Sequence, residues 1–423
     1  MKKISLSDAL PHFIAVVVFL LVTVSFFNPI FFDNKAISQG DITQFLWGSK
    51  ELRDYRAATG EEGLWSNSMF SGMPAYLVNL DWSDGAVSAM KKVLSLFLPH
   101  PITNIFLAFV CYYILLLVFK VRPYLAIAGA IAFGLSSYMI IGLSAGHNSR
   151  IGAIAFMPLV MAGIHLAFTN RKMLGFAVTT AGLALHLREN HAQITYYLLI
   201  IVGAYGIMQI VTAIREKRLA DFFKTIGLLS VAAVLAAATF FGPLWAITEY
   251  SRYSTRGKSE LVTNSADTFG SGLPKSYAFQ YSNGIFEPIT MLVPNFYGGS
   301  SSHAFVSEED SETYKALSKS GDAKMANQLA QYSTSYWGDQ PLSAPYYAGA
   351  IVIFLFVLGL LIVDRKYVWW LASVSILALM LSWGSNFESF NYFLFDYLPG
   401  YNKFRSVTFA MLSFSFPCHC LEW

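Results

Sequence analysis

The chain has 423 residues, 55% hydrophobic and 13% charged, with a mean hydropathy of +0.48. Soluble domains carry about one quarter charged residues, so this composition excludes an ordinary soluble enzyme and points to the bilayer. A net charge of +3 without a basic tract excludes a nucleic-acid partner, and three cysteines are too few for a disulfide framework.

A helix needs about 20 mostly apolar residues to cross a bilayer. That criterion predicts an all-α polytopic membrane protein with about ten spans, at 11–32, 102–121, 123–142, 151–169, 173–187, 192–213, 222–246, 346–363, 367–383 and 407–421. The first run, FIAVVVFLLVTVSFFNPI, follows Lys2 and Lys3 as in a signal peptide. Its length and the lack of a small-x-small cleavage pattern predict an uncleaved helix. The expected organisation is therefore a first transmembrane helix (1–32), an outer segment (33–101), spans two to seven (102–246), a second outer segment (247–345) and C-terminal spans (346–423).

Basic residues set the orientation. With the N-terminus in the cytoplasm, the inner segments carry Lys2 and Lys3, then Lys120 and Arg122, then Arg171 and Lys172. Arg215, Lys217, Arg218 and Lys224 follow, then Arg365 and Lys366. The alternation predicts a multi-pass protein with its N-terminus in the cytoplasm and 33–101 and 247–345 outside. The first outer segment mixes aromatic, apolar, Gly and Pro residues in LWSNSMFSGMPAYLVNLDW, which suits re-entrant or interfacial structure. The second contains FEPITMLVPNFYGG and then a polar stretch that reads as an exposed helix or lid.

Uncommon polar residues collect on the expected outer face. Asp41 follows span one beside Gly40; AGHNSR supplies His147, Asn148 and Arg150; HLRENHAQ supplies His186, Arg188, Glu189, Asn190, His191 and Gln193. Glu249, Arg252 and Arg256 follow span seven, Glu287 sits in FEPI, and Asp396, Lys403 and Arg405 precede span ten. Such groups can hold a phosphate and move a proton. Taken singly, a His at a span end is more often an interfacial or core residue, Arg188 and Glu189 form an ordinary pair, and Asp41 is a polar loop tip. Concentration on one face favours function, since ionisable groups at membrane depth are costly. No Walker-A loop, dinucleotide fingerprint, H-E-x-x-H or G-x-S-x-G occurs, and PCHC at 417–420 lacks zinc spacing. The cofactor is left open: a divalent cation is compatible with this chemistry, but the sequence has no metal motif.

QGDITQF after the first helix, MFSGMPAY, HAQITYY, PNFYGG and LPGYNKFRSVTF together resemble the YfhO family of bacterial membrane proteins, in the form seen in Bacteroidetes-type bacteria. The resemblance covers residues 1–416. It implies a bacterial inner-membrane protein with a GT-C-like helical core whose first outer segment carries a catalytic Asp. It also implies transfer of a sugar from a polyprenyl-phosphate donor to an extracytoplasmic glycan or polymer. The family's GD falls on Gly40 and Asp41, and its FR segment on Phe404 and Arg405, where the usual proline is missing. Asp41 is then the catalytic carboxylate, with His147, Asn148, Arg150, Arg188, Glu189, His191, Glu287 and Arg405 as substrate-binding candidates. Family members are longer, which predicts that the last span is incomplete. The rival readings are a transporter or flippase for a lipid-linked saccharide, which calls for polar residues at mid-membrane and inverted symmetry, and a non-catalytic membrane protein.

Overall fold

The computed structural model describes residues 6–80, 82, 85–169, 171–257, 271–301, 311–319, 321–344 and 346–412. The end of the expected tenth span and the PCHC stretch lie outside these residues. The described chain is mostly helical; its sheet is one two-stranded pair, β1 (Trp65–Ser66) and β2 (Met73–Pro74). It divides into two compact units at Ser254/Thr255.

The first unit opens with α1 (Leu6–Phe26), apolar on all sides, and a short α2 (Asn28–Phe32) separated from it at Phe27 and begun by Pro29. The chain after α2 then folds into α3 (Gly40–Gly48), α4 (Lys50–Thr59), the β pair and α5 (Ala86–Leu94). Glu51 on α4 accepts hydrogen bonds from the backbone N–H groups of Asn67 and Ser68 at 2.9 Å each, from Asn67 Nδ2 at 3.0 Å and from Ser66 Oγ at 3.1 Å. These donors, Ser68 first, hold its carboxyl down at about 2. One carboxylate thus ties the Gly- and Ser-rich loop to a helix.

Six helices follow: α6 (Ile102–Val118), α7 (Pro123–Gly134), α8 (Ser137–Ala145), α9 (Asn148–Phe168), α10 (Lys172–Arg188) and α11 (Ala192–Arg215). The unit closes with α12 (Leu219–Ala238) and α13 (Phe241–Ser251). The core is α9, which packs against α6 and α10 and is buried along most of its length. Small residues let α9 and α10 approach closely. A Cβ on Gly175 would stand 2.2 Å from Ala167 N, and one on Gly163 would stand 2.4 Å from Thr179 N. Polar bonds join other helices: His12 Nδ1 and Tyr113 OH are 2.8 Å apart between α1 and α6, and His165 Nδ1 and Tyr205 OH 2.7 Å between α9 and α11.

The second unit holds α14 (Lys275–Ala278), α15 (Glu312–Ser318), α16 (Ala323–Ser333), α17 (Ala350–Ile362), α18 (Arg365–Ser382) and α19 (Glu388–Tyr397). The Lys275–Asp396 ion pair (2.8 Å) ties α14 to α19, and Lys275 lies over the Tyr392 ring. The LPGYNKFR segment is fastened by backbone bonds: Leu273 N–H donates to Asn402 O, and Arg256 and Lys403 each donate to the other's backbone carbonyl.

Among the described residues four helices are long and apolar enough to cross a membrane, namely α1, α9, α11 and α12, or up to six if each bent pair counts as one span. Ten spans are expected from hydropathy. Among the described residues the difference comes from bent and short helices, and most of the expected tenth span lies outside them. The expected third span bends by 41° between α7 and α8, and the ninth runs into a 110° turn before α19. The expected seventh is carried by α12 alone, and α6, α10 and α17, at the expected second, fifth and eighth spans, are short at 17, 17 and 13 residues.

Candidate functional site

In the first unit, the chain before α3 and the turn between α8 and α9 are packed together by side-chain amides. Gln39 is buried and donates through Nε2 to Leu143 O (2.6 Å) and to Asn148 Oδ1 (2.9 Å). Asn148 Nδ2 donates back to Gln39 Oε1 at 3.3 Å. Asn104 on α6 donates to Asn148 O at 3.0 Å. Gly146 makes the approach possible. Its φ is +95°, the left-handed region that favours glycine, and a Cβ there would stand 3.1 Å from Asp41 Cβ and 3.2 Å from Ile42 N.

The result is a meeting of two helix N-termini. Asp41 lies in the first turn of α3 and His147 immediately precedes α9; neither N-terminus has a side-chain cap. His147 Nε2 is 3.0 Å from Asp41 Oδ2, with the two side chains 37% and 55% exposed. Behind them, Arg150 is only 4% exposed, bonds through Nη2 to His147 Nδ1 and lies 5.6 Å from the Tyr138 ring centroid.

This chain fixes the imidazole tautomer. A guanidinium only donates, so His147 Nδ1 must accept, and the ring proton is on Nε2, facing Asp41. Burial and then the Arg150 charge press the His147 pKa down to about 4, against the pull of Asp41. His147 is therefore a neutral donor to the carboxylate at ordinary pH.

The neighbouring candidates frame this centre. His191 is the N-cap of α11, its Nδ1 accepting from Ile194 N–H at 3.3 Å. Burial, Arg150 and the other two histidines, His147 and His186, push it to about 4 as well. His186 is buried, with Nδ1 2.9 Å from Ala153 O and Nε2 3.0 Å from Thr195 Oγ1. Glu189 is buried against α9 and pairs with Lys91 of α5 at 2.6 Å. Burial raises its pKa, while Lys91 and Arg188 oppose the rise.

The sequence-based candidates thus fall into three groups. Asp41, His147 and Arg150 form one hydrogen-bonded chain, with His191 in electrostatic range. Asn148, Glu189 and His186 are tied into the structure beneath it, and Arg188, the last residue of α10, lies in electrostatic range of Glu189. Glu287 and Arg405 belong to the second unit, each with its own partners there. Arg405 is exposed, donates to Tyr277 OH and lies over that ring. Two residues that position the centre, Gln39 and Lys91, escape the sequence reading. Gln39 stands in the QGDITQF motif itself, while Lys91 looks like one more surface lysine of an amphipathic helix.

Among the described residues no group of three or more His, Cys, Asp or Glu side chains is placed to hold a metal ion. No protein-family model matches the chain, and no curated protein or solved structure matches it.

Proposed function

We propose that the chain is a GT-C-like membrane glycosyltransferase that moves a sugar from a polyprenyl phosphate to an extracytoplasmic acceptor, with Asp41 as its base. The observation that supports this reading most is the 3.0 Å contact of His147 with a half-exposed Asp41 where two uncapped helix N-termini meet. The carboxylate can accept a proton, and free N–H groups at helix N-termini attract a phosphate.

In the proposed reaction the acceptor hydroxyl oxygen attacks the anomeric carbon. The bond between that carbon and the phosphate oxygen breaks, and the phosphate leaves with the electron pair. The hydroxyl proton passes to Asp41. A phosphate leaving group needs no general acid, so one carboxylate suffices, and the developing positive charge on the sugar resembles that in glycoside hydrolysis. His147 holds Asp41 Oδ2 and so orients the carboxylate. Arg150 is committed to His147 and Tyr138, and its part is to fix the imidazole rather than to touch phosphate. Arg188 remains the candidate guanidinium for the donor.

The same reading places the protein in a bacterial inner membrane with the N-terminus in the cytoplasm and this centre outside, following the distribution of basic residues. The test is sugar transfer from labelled polyprenyl-phosphate sugars by membranes containing wild-type or Asp41→Asn chains, with Asp33→Asn as control. Transfer by Asp41→Asn at the wild-type rate would end the assignment.

A further inference from the structure

The second unit contains a cavity that the proposed transfer does not use. Its volume is about 20 Å³, and its walls include Asn283, Glu287, Thr290, Tyr297, Tyr336 and Tyr346. Among the described residues no Lys, Arg or His lines it.

Glu287 is 8% exposed. Its carboxylate accepts from Gly284 N–H and Gln340 Nε2, each at 2.8 Å, and from the Tyr336 hydroxyl. All three donors are neutral, and Asp339 adds a second negative charge nearby. Burial therefore raises the Glu287 pKa. A carboxylate buried without a countercharge is costly, and about four lone-pair positions leave one beyond the three in use.

A separate observation points to a ligand. Thr290, on the same wall, is 5% exposed, and its Oγ1 has no hydrogen-bond partner among the described residues. Buried hydroxyls are rarely left so. A carboxylate, an unused hydroxyl oxygen and tyrosine rings all favour a cation that donates hydrogen bonds. The size is equally restrictive. A cavity of this volume accepts about one water-sized group, too little for a trimethylammonium or a sugar ring.

We infer that this cavity binds a primary ammonium group, with Glu287 as countercharge, Thr290 Oγ1 as acceptor and the tyrosine side chains among its walls. The amine belongs either to a lipid headgroup or to a soluble molecule such as an amino sugar; the chemistry recognised is the same. The inference stands apart from the glycosyl-transfer reading and does not depend on Asp41.

Equilibrium dialysis of the purified full chain in detergent against radiolabelled ethanolamine tests it. Saturable binding is expected at neutral pH, resistant to choline, glucose and potassium chloride. Displacement by short-chain phosphatidylethanolamine alone assigns the lipid source, and displacement by glucosamine assigns the soluble one; either supports the site. Glu287→Gln should weaken ethanolamine binding at least about 30-fold. Thr290→Val should weaken it while keeping the wild-type circular dichroism spectrum. Absence of saturable binding, or equal competition by choline or potassium, overturns the inference. So does unchanged affinity in a folded Thr290→Val, which decides the matter even if Glu287→Gln does not fold.

Discussion

Glu189 Oε2 occupies the space beside Gly152 so closely that a Cβ on Gly152 would stand 2.1 Å from it. The carboxylate reaches that position from the end of α10 and there meets Lys91 Nζ at 2.6 Å, the two side chains being 7% and 20% exposed. The helix α5 is thereby locked to the helical core by this ion pair and by the missing methyl group of Gly152.

Removing a single partner of a buried pair strands the other charge, at a cost of about 3–5 kcal/mol, whereas replacing both by apolar residues is often neutral. Lys91→Met should therefore lower the thermal midpoint in detergent more than the double variant Lys91→Met/Glu189→Leu does. Gly152→Ala should also destabilise, by about 1–3 kcal/mol, because the carboxylate has to move. A double variant less stable than Lys91→Met would show that the pair is not the source of the effect.

The His147 assignment has a definite pH signature. Its folded value of about 4 lies below the ordinary 6.5, so between these values the unfolded chain binds the extra proton. Stability from neutral His147 is then complete above about 6.5 and is lost as pH falls towards 4. Comparing thermal midpoints from pH 7.5 to 4 should show a steeper fall for wild type than for His147→Asn, since the other histidines are common to both. Parallel curves would contradict a neutral imidazole facing Arg150.

The fold was legible where the physics is one-dimensional. Apolar runs gave the helical class and the approximate places of α1, α9 and α11, because length and hydropathy alone decide whether a helix suits a bilayer. Helix breaks were not legible: the bend between α7 and α8 falls at Leu135 and Ser136, with no proline there to announce it. Asp41 and His147 were both singled out, yet nothing in a sequence shows that two turns so far apart meet. Arg150 illustrates the limit. Residue type suggested a phosphate ligand, while burial behind His147 gives it the work of fixing a tautomer. Gln39 was missed because its significance lies in its partners, Leu143 O and Asn148, not in its chemistry.

The proposed orientation is open to labelling. Single cysteines replacing Ser68 and Ser311 should react with a membrane-impermeant thiol reagent in intact cells, and one replacing Thr169 should not. The opposite pattern would reverse the topology and remove Asp41 from the outer face.

The central claim concerns one carboxylate. Asp41→Asn preserves size and much of the hydrogen bonding to His147 but cannot take up the acceptor's proton. Loss of a general base lowers a rate by about 10²–10⁴-fold. Asp33, paired on the surface with Lys35 at 3.4 Å, is the matched control. The decisive measurement is release of lipid phosphate from labelled polyprenyl-phosphate sugars by both variants at equal membrane expression. The account predicts a loss of at least about 100-fold for Asp41→Asn and near wild-type transfer for Asp33→Asn. Near wild-type transfer by Asp41→Asn, or equal losses in both, would contradict it.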